Sequence, residues 1–151
     1  MAGLSGALVL LVGLMAWLAG APCLAPPLGV TAYLLARDPR ADSSSPRSIL
    51  LGHAIGLAAG LGSASLFHVL GEPGALTGTF AMGHALGSAL AIALTVGLTE
   101  GLRCSHPPAG ATTLVASLGL LSLEGGVLAF MIGASVLAGC SLALRQKRLR
   151  G

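Results

Sequence analysis

A short phrase occurs twice in this chain of 151 residues. Cys23-Leu24-Ala25-Pro26-Pro27-Leu28-Gly29-Val30-Thr31 and Cys104-Ser105-His106-Pro107-Pro108-Ala109-Gly110-Ala111-Thr112 carry Cys, Pro, Pro, Gly and Thr in the same order and spacing. The offset is 81 residues, from Cys23 to Cys104 and from Thr31 to Thr112. It also pairs Gly6 with Gly87, Gly20 with Gly101 and Gly52 with Gly133, although with 23 glycines in the chain those matches weigh less. A chain that repeats itself in register folds as two copies of one unit.

Each copy is apolar. Hydrophobic residues make up 54% and charged residues 9%, against roughly 25% charge in a soluble domain. No charge occurs from Met1 to Ala36, only Glu72 between Ser48 and Thr99, and only Glu124 between Cys104 and Leu144. Uncharged runs of this length read as membrane spans. The net charge of +3 does not mark a nucleic-acid binder. The basic residues cluster at span ends, at Arg37, Arg40 and Arg47 and at Arg145, Lys147, Arg148 and Arg150, as topology-setting charges do. Aromatics are only 3%, too few for base stacking. Cys23, Cys104 and Cys140 are odd in number and form neither a disulfide framework nor a paired metal motif. Leu4 to Leu18 lacks a preceding Lys or Arg and Pro22 spoils a cleavage site before Cys23, so residues 1–21 read as a retained first span.

Six segments follow: Gly3 to Gly20, Pro26 to Ala36, Ser48 to Leu70, Leu76 to Gly101, Pro107 to Leu121 and Gly125 to Leu144. The second and fifth are too short to cross about 30 Å of hydrocarbon as helix alone. Each begins at a proline pair, where a missing N–H costs nothing. Residues 37–47 form a polar loop, and Gly71-Glu72-Pro73-Gly74 a tight turn. The expected fold is an all-α membrane protein of four long transmembrane helices and two short Pro-Pro-initiated ones. It is a single domain over 1–151, with one repeat at about 3–70 and the other at about 76–145. Placing both basic clusters and both termini in the cytoplasm requires three crossings per copy and therefore an inverted repeat. In transporters with such repeats, short Gly/Pro-interrupted segments mark the binding site.

Irregular backbone survives at membrane depth only where it lines a cavity or is buried in protein. A helix start offers unpaired N–H groups and partial positive charge, which favour an anion. The candidate binding residues are therefore Pro27, Gly29, Val30 and Thr31 in the first copy and Pro108, Gly110, Ala111, Thr112 and Thr113 in the second. His106, which has Ala25 as its counterpart, joins them as a group whose charge changes near neutral pH. His53 and His84 lie in matching Gly-His-Ala-x-Gly settings that suit close helix packing, and both are possible pathway residues. His68 reads as interfacial. The four histidines lack metal-site spacing, and no cofactor is expected. A plain reading remains open, in which each Pro-Pro stretch is only a kinked connection.

Around His106, Arg103-Cys104-Ser105-His106-Pro107-Pro108-Ala109-Gly110-Ala111-Thr112 strongly resembles the motif of the HPP family of integral membrane proteins. Leu28-Gly29-Val30-Thr31-Ala32-Tyr33-Leu34-Leu35 and Pro46-Arg47-Ser48-Ile49-Leu50-Leu51-Gly52-His53 resemble two further stretches of that family. The sequence departs from its pattern at Leu28, Ser48 and Leu51, which stand in place of Phe, Asn and Gly. The resemblance implies four transmembrane helices. Because some plastid and cyanobacterial members are associated with nitrite transport, it also implies a small-anion transporter.

The expected function is thus a multi-pass cell-membrane transporter or channel for a small monovalent anion, nitrite first, acting as a homo-oligomer with a site in each protomer. A non-transporting scaffold or sensor is the alternative. A membrane enzyme using His106 as base is the least favoured reading; it needs a second titratable group within about 3 Å, with Glu100 the only one near in sequence.

Overall fold

The computed structural model describes residues 1–20, 24–71, 78–121 and 125–147. It contains six helices and, among the described residues, no strand: α1 (Ala2–Ala19), α2 (Pro26–Arg37), α3 (Pro46–Leu66), α4 (Met82–Gly101), α5 (Pro108–Ser117) and α6 (Gly126–Lys147). A 3₁₀ turn at Asp42–Ser44 sits in the polar loop. Moving the first three helices along by 81 residues gives 83–100, 107–118 and 127–147, which overlay α4, α5 and α6 to within one residue at every end. The long-short-long unit is therefore real at the level of secondary structure. The turn at residues 71–74, the start of the fourth segment, Cys23, Glu124 and the last basic residues lie wholly or partly outside the described residues.

Helices α1, α3, α4 and α6 are each long and apolar enough to cross a membrane. The 12 residues of α2 and 10 of α5 extend only about 18 and 15 Å. Proline opens three helices, with Pro26 and Pro27 in α2, Pro46 in α3 and Pro108 in α5. Before Pro46, Ser45 caps α3 by accepting the Ser48 N–H at 3.1 Å, which satisfies one of the helix's orphan donors. Helix α1 ends at Gly20 in the left-handed conformation (φ 59°), and its N–H reaches back to the Ala16 and Trp17 carbonyls, a closure that glycine makes without steric cost.

Two boundaries differ from the sequence reading. Helix α3 stops at Leu66 although the chain stays apolar to Leu70, because His68 turns into the left-handed region (φ 56°). Helix α4 starts at Met82 and not at Leu76, since Gly78 and Thr79 stand in its way. Apolarity sets where a chain can lie in lipid; it does not set where its backbone coils.

Helix α3 is the hub and packs against α4, α5 and α6. Its glycines explain how α5 approaches. A Cβ on Gly52 would lie 2.7 Å from the His106 Cβ, one on Gly56 2.8 Å from the Ala109 carbonyl oxygen, and one on Gly60 2.6 Å from the Ala116 Cβ. Gly52, Gly56 and Gly60 recur every fourth residue, so they form one stripe along α3, and small residues let helix backbones close up in a membrane. The counterparts on α6 are Gly133, Leu137 and Ser141. Leu137 is completely buried where its counterpart Gly56 has no side chain, and α2 and α6 associate less closely than α5 and α3. A core of Leu8, Val12, Leu28, Leu35, Ile49, Leu57, Phe130 and Leu137 lies between the layers. Leu10, Leu14, Trp17, Leu94, Val96, Leu98, Leu128 and Ile132 are exposed on the outside, where lipid accepts them.

A buried histidine–threonine network as the candidate site

The two threonines of the repeated phrase meet on one imidazole. His53, at 0% exposure on α3, has Nε2 3.0 Å from the Thr31 Oγ1 and Nδ1 2.7 Å from the Thr112 Oγ1. Thr31 is also 3.1 Å from His106 Nε2. His106 Nδ1 donates to the Ser43 carbonyl at 2.7 Å. The hydroxyls also lie in matching ways against the carbonyls one turn back, Thr31 3.1 Å from that of Pro27 and Thr112 3.4 Å from that of Pro108. The His53 ring is held edge-on between His106 (centroids 4.8 Å apart) and Phe130 (5.2 Å).

Each helix brings one part. The Pro-Pro starts set the beginnings of α2 and α5, so Thr31 and Thr112, a turn further on, face inward. The glycine stripe lets α5 come near enough for Thr112 to reach His53. A second row ties α5 to α4, with Thr113 Oγ1 2.8 Å from Thr95 Oγ1 and Ser117 Oγ 2.8 Å from Ser88 Oγ. Thr99 on α4 donates to the Thr95 carbonyl at 2.7 Å.

One end of the network is closed by the polar loop. Ser141 on α6 donates to the Ser44 carbonyl, and Arg145 donates to those of Arg40 and Ala41. Arg47 donates to the Leu102 and Arg103 carbonyls at 2.9 and 3.2 Å, placing a cation at the negative end of α4. Beside this closure is an open cavity of about 260 Å³, lined by Asp42, Ser43, Ser48, Glu100, Arg103 and Ser105. His106 belongs to the loop between α4 and α5, outside the long spans. Burial lowers its imidazole from the usual 6.5 to about 4, while the bond to Ser43 acts the other way. In this state its charge does not change near neutral pH.

Pro27, Thr31, His53, His106, Pro108 and Thr112 are thus brought together, with Thr113 one step away. Gly29, Val30, Gly110 and Ala111 are not part of this cluster. Val30 is exposed, Gly29 and Ala111 are half-buried, and a Cβ on Gly110 would meet only Ile92, at 3.9 Å. The amides expected to be free at the helix starts have local partners. The Leu28 N–H donates to Ala25, that of Ala109 to His106 and that of Gly110 to Pro107. The four prolines at the two starts carry no N–H at all, so the donors that reach the centre belong to side chains. His84 has a different place, accepting the Ala81 N–H at 3.1 Å and stacking on Phe80.

Ser43, Ser88 and Thr95 were not singled out from sequence. A signal existed for α4, because His84, Ser88, Ala91, Thr95 and Thr99 fall on one helical face. Ser43 acts through its backbone, which no side-chain pattern announces. No curated protein and no solved structure matches the chain. The model of one family, the HPP transmembrane region, matches residues 1–150, and the chain is a member of the HPP family of integral membrane proteins.

Proposed function

We propose that this protein carries a small monovalent anion, nitrite foremost, across the cell membrane, and that the histidine–threonine network is where the anion is bound. The supporting observation is the network's chemistry. At the junction of both repeats lies a buried cluster of hydroxyls and neutral imidazoles in which the partners are all uncharged. Polar groups inside a membrane are costly and mark function, and donors whose hydrogen-bond partners are all uncharged favour a negative guest. The loop end supplies Arg47, Arg103 and Arg145, which raise the local concentration of anions. Thr31, Thr112, His53 and His106 would turn their protons from one another to the anion in place of its water; the helix-start amides contribute their dipoles and not their protons. The basic loop and both termini are assigned to the cytoplasm, the halves then being inverted. A homo-oligomer with one site per protomer gives so short a chain the surroundings it needs.

The test is flux of nitrite, nitrate, formate and chloride into proteoliposomes at two pH values. Protein-dependent nitrite uptake that falls in Thr112→Val supports the reading. If none of the four anions moves, the protein is a scaffold or sensor whose repeated phrase is a packing device.

A further inference from the structure

Counting protons assigns a direction to every bond in the network. The Ser43 carbonyl can only accept, so His106 carries its proton on Nδ1. Its Nε2 is then an acceptor and needs a donor, which among the described residues only Thr31 supplies. A hydroxyl has one proton, so Thr31 must receive from His53, placing the His53 proton on Nε2. His53 Nδ1 in turn accepts from Thr112. Were Thr31 to donate instead to the Pro27 carbonyl, a buried ring nitrogen would lose its partner, at a cost of about 1–3 kcal/mol. One polarity satisfies all four groups: Thr112 to His53, His53 to Thr31, Thr31 to His106 and His106 to Ser43.

We propose that Thr112, His53, Thr31 and His106 form a proton path, so that each anion moves with one proton. This rests on the anion-transport reading. A proton arriving at the Thr112 Oγ1 releases that hydroxyl's own proton to His53 Nδ1. His53 passes its Nε2 proton to Thr31, Thr31 passes its own to His106 Nε2, and His106 gives up its Nδ1 proton. One proton enters and one leaves, no charge remains, the three bonds among the four side chains have reversed, and the bond to the Ser43 carbonyl is broken. The reversed chain passes no second proton in that direction until its hydroxyls and rings reset, which fixes one proton per cycle. As found, the path is stopped at the Ser43 carbonyl, which is no proton acceptor. The adjoining cavity holds Asp42 and Glu100 as acceptors and Arg103 as the opposing charge, so a shift of the Ser43 backbone opens the exit. The remaining groups against the rings are Phe130 and the two hydroxyls, none of which titrates near neutral pH.

The experiment uses the full chain in vesicles with a pH dye inside, nitrite outside and the potential set by valinomycin and potassium. Protein-free vesicles give the passive rate of nitrous acid. Wild type should take up nitrite independently of voltage, with one proton acidifying the interior per nitrite. In His53→Gln and His106→Gln an amide keeps a donor and an acceptor but relays no proton. Because both residues also line the anion site, uptake should slow in each variant, and the uptake that remains should be voltage-driven and carry no proton. Wild-type uptake that follows voltage without acidification overturns the proton path and leaves anion transport standing, as does an unchanged proton-to-nitrite ratio in both variants. Absence of any anion uptake overturns both. The wild-type voltage measurement decides the matter even if neither variant folds.

Discussion

Gly60→Ala isolates the contact on which the network depends. The added Cβ would lie 2.6 Å from the Ala116 Cβ and 2.7 Å from the Thr113 carbonyl oxygen. Both neighbours are fixed by the α5 backbone, so neither can rotate away. Ordinary contact begins near 3.4 Å, so α5 must retreat by about 0.8 Å. That retreat stretches the 2.7 Å bond between His53 and Thr112 past the hydrogen-bonding range. Overpacking of this kind costs about 1–3 kcal/mol, and a hydrogen bond lost within a membrane adds about 0.6 kcal/mol. Alanine's better helix propensity returns roughly 0.5–1 kcal/mol. The net loss is about 2 kcal/mol, or about 4–8 °C in the melting temperature of a chain this size. Gly97→Ala on α4 is the control, because its Cβ would meet nothing within 4 Å. Thermal melts of both variants in detergent, followed by Trp17 fluorescence, check the argument. If Gly60→Ala melts within a degree or so of Gly97→Ala, the close α3–α5 seam does not exist as described.

Other outcomes follow from the same geometry. Thr112→Val should lose anion uptake at a cost of about 1–3 kcal/mol of stability, because the shape is kept but the buried His53 Nδ1 loses its donor; unchanged uptake would remove the hydroxyl from the site. Detergent melts should show stability independent of His106 above pH 6.5 and lost as the pH falls towards 4, because the unfolded chain binds the proton that the folded one refuses. At pH 5 the loss attributable to this group is about 2 kcal/mol, and His106→Gln should make the profile shallower. Arg47→Gln frees the Leu102 and Arg103 carbonyls. The exposed pairing is worth less than about 1 kcal/mol, so folding should persist. Hydrogen exchange at residues 102–105 should nonetheless quicken.

The frame of this protein was legible because its charges are so few. The runs without Asp, Glu, Lys or Arg located all four long helices, and the proline pairs located both short ones. The network was half legible. Thr31 and Thr112 stood out through the repeat and His106 through its lack of a matching histidine, but the anion was assigned chiefly to backbone amides, because a helix start is a local feature and a meeting of side chains is not. His53 reads as a packing residue between Gly52 and Gly56. The structure gives the glycines that role and makes the histidine the beneficiary: α5 comes close enough to be bonded only because they are bare. Partners separated by 22, 59 and 75 residues leave no spacing signal in a single sequence.

The two halves of the duplication no longer obey the same rules. Where α3 has Gly56, α6 has Leu137, so a side chain already present in one copy would wedge the other apart. Tolerance to substitution should therefore be lopsided when positions are compared across the internal offset. Of two units alike in outline, one grips and the other fills.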